Sequence, residues 1–222
     1  MTLLFLLLVV VAMPWLSYVS FRNIHTLEEA GTDFKISKRS VYIQSIALQG
    51  GLCVAAFFTA RTENFEIKLI SSSFSLYAVI AGILFLAAAL AFAGFAQKNK
   101  QNKESTLRHI LPENNTDRLF WIAAVLIAAF CEEYIYRGVL YQVLLPLTNQ
   151  SLILSALISA VVFGFGHGTQ GEKAIMQIIP FALGFHLIVY LSDSLIIAMI
   201  VHFIYNTSVE ILFGKKIRDS HE

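Results

Sequence analysis

Seven long apolar runs constrain this chain more than any other feature. They lie at about 3–20, 41–60, 69–96, 119–147, 151–168, 174–191 and 195–213. As α-helices, runs of about twenty residues match the hydrocarbon thickness of a bilayer. The other way to satisfy every backbone polar group in lipid is a closed β-barrel. That design needs alternating segments of about ten residues, and these runs do not alternate. Only 14% of the 222 residues are charged, against about 25% in a soluble domain, so a polar coat cannot be assembled. The expected fold is all-α: a polytopic membrane helix bundle of about seven transmembrane helices, with the lipid bilayer as its first partner. A net charge of +1 gives no footprint for nucleic acid.

The first run has no basic segment before it and no A-x-A site after it, so it reads as a retained helix and not as a signal peptide. Cys53 and Cys131 both lie in apolar runs. They read as buried thiols and suggest no disulfide framework. The loops set the orientation. The N-terminus, 61–68, 148–150 and 192–194 hold two basic residues, Arg61 and Lys68. The segments 21–40, 97–118, 169–173 and the C-terminal tail hold thirteen. The positive-inside rule then places the C-terminus in the cytoplasm.

The charges divide the chain. The first three runs contain no Asp, Glu, Lys, Arg or His, whereas the last four contain Glu132, Glu133, Arg137, His167, His186, His202 and Glu210. Residues 1–118 therefore read as scaffold helices with loops, 119–213 as the chemical core and 214–222 as a cytoplasmic tail. Charge at membrane depth is costly and points to function. Glu133 and Arg137 stand four apart on one helix face, in the favourable order for an ion pair. That leaves Glu132 without a local partner. It must take a proton or find a partner on another helix.

His167 and His202 are the candidates. Counted from a turn near Asn149, Glu132 and His167 fall at about the same depth on antiparallel helices. His202 joins them if the fourth helix overhangs the membrane or the 192–194 loop dips inward. Asn206 lies one turn from His202 on the same face. Gly164, Gly166 and Gly168 remove bulk around His167, which lets either a neighbouring helix or a ligand approach. Pro180 suggests a kink in the sixth run. His186 reads as a packing residue. Glu210 reads as lying near the membrane interface, without an evident role.

A carboxylate, two imidazoles and a carboxamide in an enclosed apolar site suit hydrolysis. The carboxylate can take a proton from water, and an imidazole and an amide can donate to a developing oxyanion. The same set could hold zinc through two histidines and a carboxylate. The H-E-x-x-H zinc motif is absent.

EEYIYR (132–137), FGFGH (163–167) and HFIYN (202–206) fit the patterns E-E-x-x-x-R, F-x-x-x-H and H-x-x-x-N. In this order, on consecutive apolar runs, they resemble the CPBP family. That family comprises type II CAAX-prenyl endopeptidases and bacterial relatives, including bacteriocin-processing and immunity proteins of the ABI group. The resemblance covers about 119–213. It implies an intramembrane glutamate-dependent protease acting on a membrane-associated peptide or protein, in a bacterial cell membrane. Glu132 would activate water, with His167 helping to position it. His202 and Asn206 would stabilise the oxyanion, and Glu133 and Arg137 would organise the site. Members are commonly labelled metalloproteases. A divalent metal such as zinc on His167 and His202 is therefore a further expectation, although the oxyanion reading needs none. Two other classes stay open. One is a non-catalytic bacteriocin-immunity or membrane binding protein. The other is a proton or ion carrier, against which the lack of an inverted repeat counts.

Overall fold

A computed structural model describes residues 1–30, 37–71, 76–99 and 110–219. Among the described residues seven helical rods make up the fold. The first, α1, joins Thr2–Leu6, a π-helical stretch Leu7–Ala12 and Met13–Glu29. It is followed by α2 (Lys38–Thr62) and α3 (Leu76–Asn99). The fourth, α4, runs without a break through Asn115–Glu132, a π-helical stretch Glu133–Leu140 and Tyr141–Leu147. Then come α5 (Leu152–Gly166), α6 (Glu172–Ser192) and α7 (Leu195–Asp219).

Side chains set the helix starts. Asn114 accepts a hydrogen bond from Asp117 N at 2.9 Å and so caps α4. Ser151 caps α5 through Leu154 N at 3.3 Å. Such caps satisfy amides that a helix start would otherwise leave bare. Asn149 and Gln150 adopt left-handed φ of 52° and 63° and reverse the chain between α4 and α5, where the sequence placed the turn.

Among the described residues six rods are long and apolar enough to cross a membrane. The exception is α5, expected as a span over 151–168. Its 15 residues reach about 22 Å at 1.5 Å per residue, short of the ~30 Å hydrocarbon core. The third span also differs. It was expected from 69, but residues 69–71 are irregular, because Leu69 O accepts from Ile196 N at 3.0 Å and from Ser194 Oγ at 2.9 Å. That ties the segment to the start of α7. The expected tail from 214 continues as helix to Asp219.

At the centre, α4 contacts α2, α5, α6 and α7. Ile135, Val139 and Leu140 of α4 are fully buried against Val9 of α1, Ala56 of α2, Ala160 of α5 and Ala182 of α6. Outward positions are apolar as well; Leu84, Phe57 and Ile153 are exposed. This is the reverse of a soluble surface and suits a lipid environment.

Pairs at the two ends fix the topology. At one end Thr2 bonds Glu63, and Lys68 pairs with Asp193 at 2.6 Å. At the other, Lys38 pairs with Glu113 at 2.8 Å, Arg39 with Asp117 at 3.0 Å and Arg118 with Glu210 at 3.3 Å. The N-terminus, 61–68 and 192–194 thus share one end, as the charge count required. Glu210 also has a defined partner: it ties α7 to the start of α4.

Candidate active site

The site is built on the widened stretch of α4. From Glu133 to Leu140 the backbone is π-helical, with i→i+5 bonds, a geometry frequent at functional sites. Within it Arg137 Nη1 stands 3.2 Å from Glu133 Oε1, with both side chains fully buried. The pair expected four residues apart is present. Arg137 also donates from Nη2 to Ala182 O at 3.3 Å. Its guanidinium lies 4.4 Å over the Phe163 ring and 5.3 Å from the Phe185 ring. Two aromatic faces of this kind favour a desolvated cation.

Glu133 serves two partners. His202 Nδ1, from α7, lies 2.8 Å from the same Oε1. With Nδ1 committed to Glu133, His202 presents Nε2, which stands 3.8 Å from Glu132 Oε2. Phe185 stacks on the His202 ring at 5.0 Å and 29°. His202 reaches Glu132 because α7 starts beside the middle of α4, with Leu195 Cδ1 3.3 Å from a Cβ built on Gly138.

Glu132 does find partners on other helices. Besides His202, its Oε1 accepts from Gln49 Nε2 at 2.6 Å. Gln49 lies on α2, within the half read as scaffold, and was not among the candidates. An amide interrupting an apolar span was the available signal; a search for charge passes over it.

His167 ends α5 as its C-cap and is half-buried. Its Nδ1 lies 2.9 Å from Phe163 O, and its ring packs on Phe163 at 4.5 Å. Phe163 also faces His202 at 6.4 Å, so one ring lies between the two imidazoles. The register of α5 on α4 is fixed by Ser159 Oγ donating to Tyr136 O at 2.8 Å and by Phe163 against Tyr136 at 4.9 Å. His167 follows one turn further along α5. Asn206 is half-buried, one turn past His202.

The glycines around His167 are met by protein. A Cβ on Gly164 would approach Ile179 Cγ1 to 2.6 Å, one on Gly166 would meet the Tyr136 hydroxyl at 3.3 Å, and one on Gly168 would meet Ser17 Oγ at 3.3 Å. Close helix packing accounts for all three. Pro180 sits inside the unbroken α6. His186 is buried on Tyr141, with ring centroids 5.5 Å apart. Cys53 and Cys131 are unoxidised neighbours across α2 and α4.

Among the described residues no three His, Cys, Asp or Glu side chains converge as ligands.

A bundle of membrane-spanning helices that buries two glutamates, an arginine and a histidine at one point defines an integral membrane protein with a polar reaction centre inside its apolar layer. Residues 114–208 match the family model described as type II CAAX prenyl endopeptidase Rce1-like. Over that stretch, from the start of α4 into α7, the chain is similar to this family of CAAX-type intramembrane endopeptidases. No match was found among curated proteins or among solved structures.

Proposed function

We propose that the chain hydrolyses a peptide bond of a membrane-associated peptide or protein, with Glu132 as the base that activates water. The observation that carries this is the pairing of Glu132: Oε1 is held by Gln49 at 2.6 Å, while Oε2 faces His202 Nε2 at 3.8 Å. An acid anchored through one oxygen keeps the other available for a proton from water. His167, packed on Phe163 at the end of α5, helps position that water.

Attack on the carbonyl develops negative charge on its oxygen. His202 and Asn206 lie on one face of α7 and donate to that oxyanion. Such donors lower the barrier because they are already oriented. Donation from His202 Nε2 requires a proton there in addition to the one shared with Glu133, so the ring acts as imidazolium. Glu133 and Arg137 hold His202 in place. Water attacks, Glu132 takes its proton, and the tetrahedral intermediate collapses. The proton on Glu132 then passes to the leaving amine. The end bearing thirteen basic residues faces the cytoplasm, in a bacterial cell membrane.

The test is cleavage of a quenched lipopeptide library by detergent-purified protein. Glu132→Gln keeps the size and hydrogen-bonding capacity of the side chain. It is expected to lower the rate about 10²–10⁴-fold, the usual share of a general base, with little change in melting temperature. Undiminished cleavage removes Glu132 from the mechanism.

A further inference from the structure

The chain has two cysteines, and the fold brings them together. Cys53 lies on α2 and Cys131 on α4, and their thiols share a hydrogen bond. Both are free and half-buried, packed against the core that holds Ala56 and Ile135. Neither takes part in the hydrolysis proposed above, yet both stand beside it. Cys131 directly precedes Glu132. Cys53 stands four residues past Gln49, whose amide donates to Glu132 Oε1 at 2.6 Å. Positions four apart share a helix face. The thiol pair and the Gln49–Glu132 bond are thus neighbouring links across one seam between α2 and α4.

Two adjacent thiols can give up two electrons together and become a disulfide. Exposure shows from which side an oxidant arrives. Beside the pair, Val54 and Phe57 of α2 and Phe130 of α4 are exposed, on rods long and apolar enough to cross a membrane. The surroundings of the two sulfurs therefore meet lipid. Charged aqueous reagents enter that layer only at high cost, whereas an oxidised acyl chain carries its hydroperoxide there.

We propose that Cys53 and Cys131 form a regulatory dithiol, oxidised to a disulfide by an organic hydroperoxide of the bilayer, and that this bond switches the Glu132 site off. One sulfur attacks the outer peroxide oxygen. The O–O bond breaks, the alkoxide leaves with the thiol proton as an alcohol, and the sulfur becomes a sulfenic acid. The second thiol attacks that sulfur, the S–O bond breaks, and water leaves with the second proton. Two thiols and one hydroperoxide thus give one disulfide, one alcohol and one water. The S–S bond, about 2.05 Å long, draws α2 against α4 beside Glu132. A shift of about 1 Å in a reacting group costs on the order of 10²-fold in rate. The switch rests on the reading of Glu132 as base; the dithiol itself does not.

The test uses the full chain, reduced, in phosphatidylcholine vesicles, and adds either cumene hydroperoxide or hydrogen peroxide. Intact mass and thiol titration read the bond, and the quenched lipopeptide library reads activity. Cumene hydroperoxide is expected to remove two hydrogens and both free thiols and to lower cleavage about tenfold or more, and dithiothreitol is expected to restore it. Cys53→Ala and Cys131→Ala are each expected to cleave as wild type does before oxidation and to keep that rate after it. If one variant fails to fold, the other decides. Thiols that persist overturn the proposal, as does added oxygen without a disulfide, or a disulfide that leaves cleavage unchanged. Hydrogen peroxide acting as fast as cumene hydroperoxide overturns the bilayer source. Wild type that cleaves but forms no disulfide sinks this inference alone. Protein that cleaves nothing even when reduced fails the endopeptidase reading, and with it the switch, whereas mass still reads the disulfide.

Discussion

The two halves of the molecule use the same apolar alphabet for different ends. In α1–α3 the charged side chains lie toward the helix termini, where Lys38 and Arg39 pair with Glu113 and Asp117. In α4–α7 a second set lies inside, where Glu132, Glu133, Arg137 and His202 are buried together. The contrast shows where membrane-depth charge is tolerated: each charge is matched by another charge, an imidazole or an aromatic face, all within one cluster. The division is not complete, because Gln49 of α2 reaches across to Glu132.

Four changes test that contrast. The largest effect is expected from Glu133→Leu. It strips Arg137 and His202 of their shared acceptor, and breaking a buried ion pair from one side costs about 3–5 kcal/mol. Thermal or denaturant unfolding in detergent should show a large loss of stability together with lost cleavage; a wild-type melting curve would mean that the cluster does not hold the second half together. Next is Gly184→Ala, at the seam between the halves. Its Cβ would fall 2.1 Å from Phe85 Cε2 of α3, and overpacking of this kind costs about 1–3 kcal/mol. The melting temperature should drop while cleavage by the folded fraction persists.

Gln49→Leu comes third and tests the exception. Removing the donor to Glu132 Oε1 is expected to slow cleavage by about tenfold, the worth of one hydrogen bond to a charged group, and to change stability less than Gly184→Ala does. An unchanged rate would restore α2 to a purely supporting role. The smallest effect belongs to Lys68→Ala at the exposed end. Its hydrogen bond to Asp193 raises the ammonium pKa from its ordinary 10.5. The stabilisation is therefore present below that value and is lost only as pH rises through the elevated one. The variant and wild type should differ slightly at pH 7 and converge in strong alkali, as read by melting temperature.

Much of this was legible because lipid leaves few options. Seven helices, their alternating direction, the turn at Asn149 and the Glu133–Arg137 pair all follow from apolar length, loop charge and four-residue spacing. The π-helical stretch was not legible, since a 3.6-residue period is assumed when spacing is converted into a helix face, and nothing in YIYRGVL departs from that period. Gln49 was missed because an uncharged amide leaves no mark in a charge census. Phe163 was visible in its motif, but its place between two imidazoles and against Arg137 depends on the α4–α5 register. Phe185 stacks on His202 from a helix that carries none of the three motifs. The brevity of α5 was hidden by the apolar continuity of 151–168, which runs past the point where the helix stops.

That brevity bears on the lipid. With α5 about 8 Å shorter than the hydrocarbon core, either acyl chains compress beside it or headgroups and water sink toward His167. Each ångström of mismatch costs a fraction of a kcal/mol. The thickness of the host bilayer thus sets how readily water reaches the imidazole at the end of α5, and vesicles of shorter acyl chains should wet that corner of the protein first.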